Sequence, residues 1–348
     1  MQQGQIVCSP GHRPELQITL PLPASPIFTH PIPTLLLRCL IVDEMHHSLV
    51  AMLAQIGVQG DYLPGITKAE VLERIGEYEG IIIRSKLRLN QAFFDRATRL
   101  RFIARAGAGL DGIDLAQAAA RNIHLLHAPE GNRDAVAEHT VGMALALANR
   151  FCLGHNQVAA GQWHREANRG TEIGGKTFAL IGYGYMGQAT ARRLQCFGCR
   201  VIAYDKYLTH WPDHNAEPAT LEQVFAEADF VSLHIPLTPE TRQWVTWRFL
   251  ERFAKPIWLI NTARGEIVDL LDLLYFIKRL KVRGAALDVL ENEKLDQMLT
   301  SEKVVLQALA ATCQVLFTPH VAGWTVESYI RINEVLVEKI RGLGFNPS

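Results

Sequence analysis

The chain has no surplus of charge of either sign: 35 Lys and Arg face 35 Asp and Glu over 348 residues. Nucleic acid or an anionic membrane surface would favour a basic excess, so neither partner is expected. Cysteine is scarce, with six in all, which excludes a disulfide framework. Only Cys196 and Cys199 form a C-x-x-C pair; no second pair exists to complete a zinc site, and no metal is expected. A long apolar run without proline is also missing. Residues 17–37 contain no Lys, Arg, Asp or Glu, but five prolines break any helix that could satisfy its backbone in lipid. No membrane association is therefore expected, and the cysteine usage fits a cytoplasmic protein. Seven of the sixteen prolines precede Thr34, so residues 1–34 are read as a Pro-rich, disordered extension.

What remains has the length of about two domains and ample apolar content for their cores. The ligand of such a chain is a small molecule held in a pocket. Strands are predicted over 35–43, 80–84 and 100–104, with a helix over 47–57 ending at Gly57. A long helix with an apolar centre is predicted over 135–151. A second alternating series follows, with strands over 177–181, 200–204, 230–234, 257–261, 284–288 and 315–318 and a final helix over 326–342. Strands alternating with helices imply right-handed βαβ units and parallel sheets. The fold class is α/β with two domains, Rossmann-like or flavodoxin-like, and no internal repeat is visible.

Gly182-Tyr183-Gly184-Tyr185-Met186-Gly187 forms a G-x-G-x-x-G turn between a predicted strand and a helix. Gly182 permits the tight turn, Gly184 lets the backbone approach a pyrophosphate, and Gly187 lets helix and strand pack closely. The helix N-terminus adds free N–H groups and the positive end of its dipole. The next strand ends in Asp205, eighteen residues after Gly187, where a carboxylate meets the ribose hydroxyls and repels a 2′-phosphate. NAD is the expected cofactor, with Lys206 next door leaving some room for NADP.

Seven ordered segments carry a resemblance: ARAGAGLDGIDL (104–115), VAEHTVG (136–142), GKTFALIGYGYMG (175–187), HIPLTPETR (234–242), NTARGEIVD (261–269), GAALDVLENE (284–293) and TPHVAGWT (318–325). With these, residues 35–345 resemble the NAD-dependent D-2-hydroxyacid dehydrogenase family, closest in motif to D-3-phosphoglycerate dehydrogenases. The resemblance implies a catalytic trio of Arg264, Glu293 and His320. Glu291 is the rival acid, and Lys294 stands where the family usually has proline. The resemblance further implies cofactor contacts from Tyr185, Met186, Pro236, Leu237, Thr262, Ala263 and Asp288. Substrate contacts would come from Arg84, Ser85, Arg105, Ala108 and Gly109.

A cluster of fixed cations suits a phosphorylated hydroxy acid. Glyoxylate- or hydroxypyruvate-reducing relatives, in which these arginines are surface charges, stay open as the alternative. So does an NAD-sensing corepressor-like binding protein. Many relatives carry Arg at the position of Asn149; here Arg150 would sit on another face of the long helix, about 100° away. By the same resemblance the domains are a substrate domain (35–135 plus 321–348) and a cofactor domain (136–320). The active site would lie in the cleft between them, and the protein would be a homodimer. The given chain ends soon after the final helix, so regulation by serine through a C-terminal domain is not expected.

Overall fold

The structure, a computed structural model, describes residues 37–344; the extension expected over 1–34 lies outside them. The first sheet holds β1 (Leu37–Ile41), β2 (Val58–Tyr62), β3 (Gly80–Ile83), β4 (Phe102–Arg105) and β5 (His124–His127) in the order β2-β1-β3-β4-β5. The second holds β6 (Thr177–Ile181), β7 (Arg200–Tyr204), β8 (Glu217–Pro218), β9 (Phe230–Leu233), β10 (Ile257–Asn261), β11 (Val282–Leu287) and β12 (Val315–Phe317). Its order is β12-β11-β10-β9-β6-β7-β8. Every pairing within both sheets is parallel. The first order is flavodoxin-like; the second is the Rossmann order extended by a strand.

The central strands read as continuous apolar runs because helices cover both faces. GIII of β3 and IWLIN of β10 are buried along their whole length. In the second sheet Phe178, Phe230 and Trp258 face one another in register across β6, β9 and β10. Their rings stack at 4.9 and 4.6 Å, forming a flat aromatic floor. Val141, Met143, Ala144 and Ala148 of the helix Pro129–Ala148 join the same cluster.

That helix follows the last strand of the first sheet and precedes the first strand of the second, and is termed the hinge helix. It packs on the last helix, Val326–Arg341, where a Cβ on Gly131 would lie 2.8 Å from the Ile332 backbone. Lys339 Nζ donates to both carboxylate oxygens of Glu130 at 2.9 Å across the same contact. The helix begins six residues earlier than the pattern suggested, with Pro129 in its first turn, where a missing N–H costs nothing. It also ends earlier. Asn149 Nδ2 donates back to Leu145 O at 3.1 Å, and Arg150 takes a left-handed φ of 55° before a new helix, Phe151–Ala159. Arg150 therefore sits at a break, not on another face of the long helix. Among the described residues, no helix is long and apolar enough to cross a membrane.

Candidate active site

In open parallel sheets, ligands bind beyond the strand ends where the strand order reverses. The reversal in the second sheet falls between β6 and β9. Gly182, with φ of 95°, leaves β6 there so tightly that a Cβ would lie 2.6 Å from His234 O. A Cβ on Gly187 would meet Gly182 O at 2.4 Å. At Gly184 the reverse holds: nothing lies within 4 Å of a Cβ position, and the residue caps the helix Tyr185–Leu194 with no side chain over its N-terminus. A tight turn opening onto free helix N–H groups fits a pyrophosphate.

Asp205 follows β7. Its Oδ2 accepts Tyr183 N–H at 2.8 Å and its Oδ1 accepts Tyr207 N–H at 2.9 Å, so the acid also braces the glycine turn. Lys206 is paired with Glu240 at the surface. Burial pushes the imidazole of His234, beside this turn, from its ordinary 6.5 down to about 4. Between those values the unfolded chain binds a proton that the folded chain refuses. Stability should fall as pH drops through that window, by no more than about 3 kcal/mol. Urea unfolding at several pH values should show this slope, and His234→Gln should flatten it; an unchanged slope would reject the assignment.

The reversal in the first sheet falls between β1 and β3 and carries the other half of the site. Asp43, just after β1, accepts Arg84 N–H at 2.6 Å and Ser85 N–H at 3.4 Å, turning both residues outward from β3. The two reversals face one cleft of about 600 Å³. Arg84, Ser85, Arg105, Ala108, Gly109, Tyr185, Met186, Pro236, Thr262, Ala263, Asp288, Arg264, Glu293 and His320 all line it.

His320 is held in a left-handed conformation, φ of 55°, by its N–H donating to Asp288 O at 2.7 Å. Such a conformation in a non-glycine residue persists only where its surroundings fix it. Its Nδ1 lies 2.8 Å from Glu293 Oε1. Glu293, not Glu291, meets the histidine: Glu291 stands among Asp269, Glu302 and Glu266, which together with burial raise its pKa. In place of the family's proline, Asn292 pins the loop, accepting Lys294 N–H at 3.1 Å and donating to Glu302 Oε2 at 3.2 Å.

Arg264 arches over the turn at Gly109, where a Cβ would lie 1.7 Å from Nη2. Its Nε and Nη2 both reach Asp111 Oδ2 at 2.8 Å. Buried Asn261 shapes the strand end beneath, donating to Arg264 O at 2.8 Å and accepting Ala263 N–H at 3.0 Å. Arg105 lies close by. Burial, then the guanidiniums of Arg264 and Arg84, push its pKa down to about 10. Arg84 stacks on the Trp324 ring, 3.2 Å from its centroid. Among the described residues neither Arg84 nor Arg105 forms an ion pair. The N–H of Gly107 is taken by Arg105 O, while those of Ala108 and Gly109 have no protein acceptor among the described residues.

Two of the expected cofactor residues carry structural contacts. Leu237 packs on the apolar core instead of lining the cleft. The Asp288 carboxylate is almost wholly buried, accepting Val321 N–H and Ala322 N–H at 2.9 Å and Thr318 Oγ1–H at 2.5 Å. It holds the His320 loop. Lys86, next to Ser85 in sequence, turns from the cleft to the carbonyls of Pro64 and Ile66. Sequence reasoning missed Asp111, Asn261 and Trp324, although each stands inside a motif already quoted.

The model of the D-isomer-specific 2-hydroxyacid dehydrogenase NAD-binding domain matches residues 141–322. A hydroxypyruvate reductase of Thermotoga maritima is 34% identical over 79% of this chain and 88% of its own length. The chain belongs to the D-2-hydroxyacid dehydrogenase family. The family's NAD-binding domain thus contains the glycine turn and the Arg264, Glu293 and His320 loops. A D-3-phosphoglycerate dehydrogenase of Methanocaldococcus jannaschii is 32% identical over 88% of this chain, which spans only 57% of that relative. Among solved structures, a D-lactate dehydrogenase from Aquifex aeolicus complexed with NAD and lactic acid aligns with TM-score 0.75 and 25% identity. That alignment covers 88% of this chain and 95% of the other.

Proposed function

We propose that this chain is an NAD-dependent dehydrogenase interconverting 3-phosphoglycerate and phosphohydroxypyruvate. The observation that carries the reading is the crowding of Arg264, Arg105 and Arg84 on one cleft, two of them with no carboxylate partner among the described residues. Like charges gathered and partly desolvated call for an anion with more than one charged end. NADH held by its pyrophosphate at the glycine turn would supply the hydride. Arg264 moves its fork from Asp111 to the substrate carboxylate and polarises the carbonyl. His320, its Nδ1 committed to Glu293, donates the Nε2 proton to the carbonyl oxygen. Glu293 steadies the imidazolium that precedes the transfer. In the oxidising direction His320 takes the hydroxyl proton instead.

The division into a substrate domain (35–135 plus 321–348) and a cofactor domain (136–320) belongs to the same reading, as do a cytoplasmic setting and a homodimer. A second reading, reduction of unphosphorylated hydroxypyruvate or glyoxylate, is favoured by Lys86, which withholds a fourth cation from the cleft. Arg84→Ala separates the two. Loss of a charged hydrogen bond should raise KM for phosphohydroxypyruvate roughly ten- to a hundredfold. KM for hydroxypyruvate should stay within about twofold on the same physical ground. Equal effects on both substrates would sink the phosphate assignment.

A further inference from the structure

The hinge helix presents two neighbouring polar residues, His139 and Thr140, to two different loops. Successive helical residues point about 100° apart, so one turn of helix can reach both strand ends. Thr140 is fully buried, and its Oγ1–H donates to Val136 O at 2.8 Å. Its remaining lone pairs accept Thr262 Oγ1–H, with 3.1 Å between the oxygens. Thr262 stands two residues before Arg264. On the other side His139 Nε2 lies 3.0 Å from Thr318 Oγ1, two residues before His320. The Thr318 hydroxyl proton goes to Asp288 Oδ1, so His139 must be the donor in the first bond. His139 Nε2 also stands 3.6 Å from the Asp288 carboxylate, which itself gathers the N–H groups of Val321 and Ala322.

The two catalytic side chains thus ride on loops hung from adjacent rungs of one helix. β10 and β12, which end in those loops, are not neighbours, since β11 lies between them. Their backbones are linked through β11, where Asp288 donates its N–H to Asn261 O and accepts that of His320, so β10 and β12 share no hydrogen bond of their own. We propose that His139 and Thr140 are positioning residues that set the distance between Arg264 and His320. Thr140 governs the Arg264 loop, and His139 governs the His320 loop through Thr318 and Asp288. The assignment of distinct kinetic effects rests on the reading of Arg264 as substrate anchor and His320 as proton donor. Because Glu130 and Gly131 of the same helix bind the last helix, movement of the substrate domain would reach both loops together.

The test separates the two residues. Thr140→Val keeps the shape and removes the acceptor; it should raise KM for the keto acid roughly tenfold or more and lower kcat as well, since Arg264 both anchors the carboxylate and polarises the carbonyl. His139→Leu should lower kcat by a similar factor with little change in KM. Thr140→Ser and His139→Gln, which restore acceptor and donor, should recover most of each loss. Amide hydrogen exchange supplies a readout independent of turnover. Exchange should quicken over residues 262–266 in Thr140→Val and over 318–322 in His139→Leu, each without the other. An equal rise of KM in both variants, or no rescue by the conservative forms, would overturn the kinetic assignment. Exchange unchanged in both loops would overturn the positioning role itself. If the unmodified chain turned over no keto acid, the proposed function would fall, and the exchange pattern alone would decide the positioning role.

Discussion

Replacing His320 by alanine should lower kcat for keto-acid reduction by about 10²- to 10⁴-fold, the usual contribution of a positioned acid or base. NADH affinity should hardly change. The imidazole lines the cleft on a loop after β12, whereas the pyrophosphate turn follows β6, so the variant removes a proton donor without touching the cofactor cradle. The left-handed backbone at this residue adds a control: alanine tolerates that conformation poorly, and asparagine tolerates it better. His320→Asn should therefore keep more of the native melting temperature and be equally inactive. Steady-state rates with fluorescence titration of NADH check both points. An alanine variant that kept a tenth of its activity or more would remove His320 from the proton-transfer role.

Arg264→Lys should reduce kcat/KM by roughly 10²- to 10³-fold, about 3–4 kcal/mol of transition-state stabilisation. The charge survives, so the loss measures geometry. A planar fork binds a carboxylate through two parallel N–H groups, and an ammonium cannot. The structure already shows the guanidinium against a carboxylate, with Nε and Nη2 both 2.8 Å from one oxygen of Asp111. Only glycine at 109 leaves room for this position, since a Cβ there would overlap the guanidinium. The shortfall should appear in KM as well as kcat, because the same group anchors the carboxylate and polarises the carbonyl. Full activity in the lysine variant, measured as kcat/KM on the preferred keto acid, would show that a point charge is enough.

Much of this arrangement was legible in the sequence, for one physical reason: buried parallel strands leave uninterrupted apolar runs. The strands over 177–181, 200–204 and 257–261 stand where the pattern put them. The strands it missed are at sheet edges. VQGDY of β2 and HLLH of β5 are only partly buried, and β8 is a two-residue strand, so none offers a contiguous apolar signal. The glycine turn was legible because each glycine answers a local steric demand. Asp111 and His139 were not, because their partners lie 153 and 179 residues away and only the folded cleft brings them together. The choice of Glu293 over Glu291 was open for the same reason. Two acids in one charged run look alike until one of them meets an imidazole at 2.8 Å.

In the proposed function, one cleft joins the glycine turn to a proton donor and a carboxylate anchor. The most direct measurement is the initial rate of NADH oxidation by the unmodified full chain. It should be taken with phosphohydroxypyruvate, hydroxypyruvate, glyoxylate and pyruvate, each varied to saturation. Saturable turnover is expected, fastest in kcat/KM with phosphohydroxypyruvate. Tight NADH binding without turnover of any of the four would contradict it and leave a nucleotide-sensing binding protein in its place.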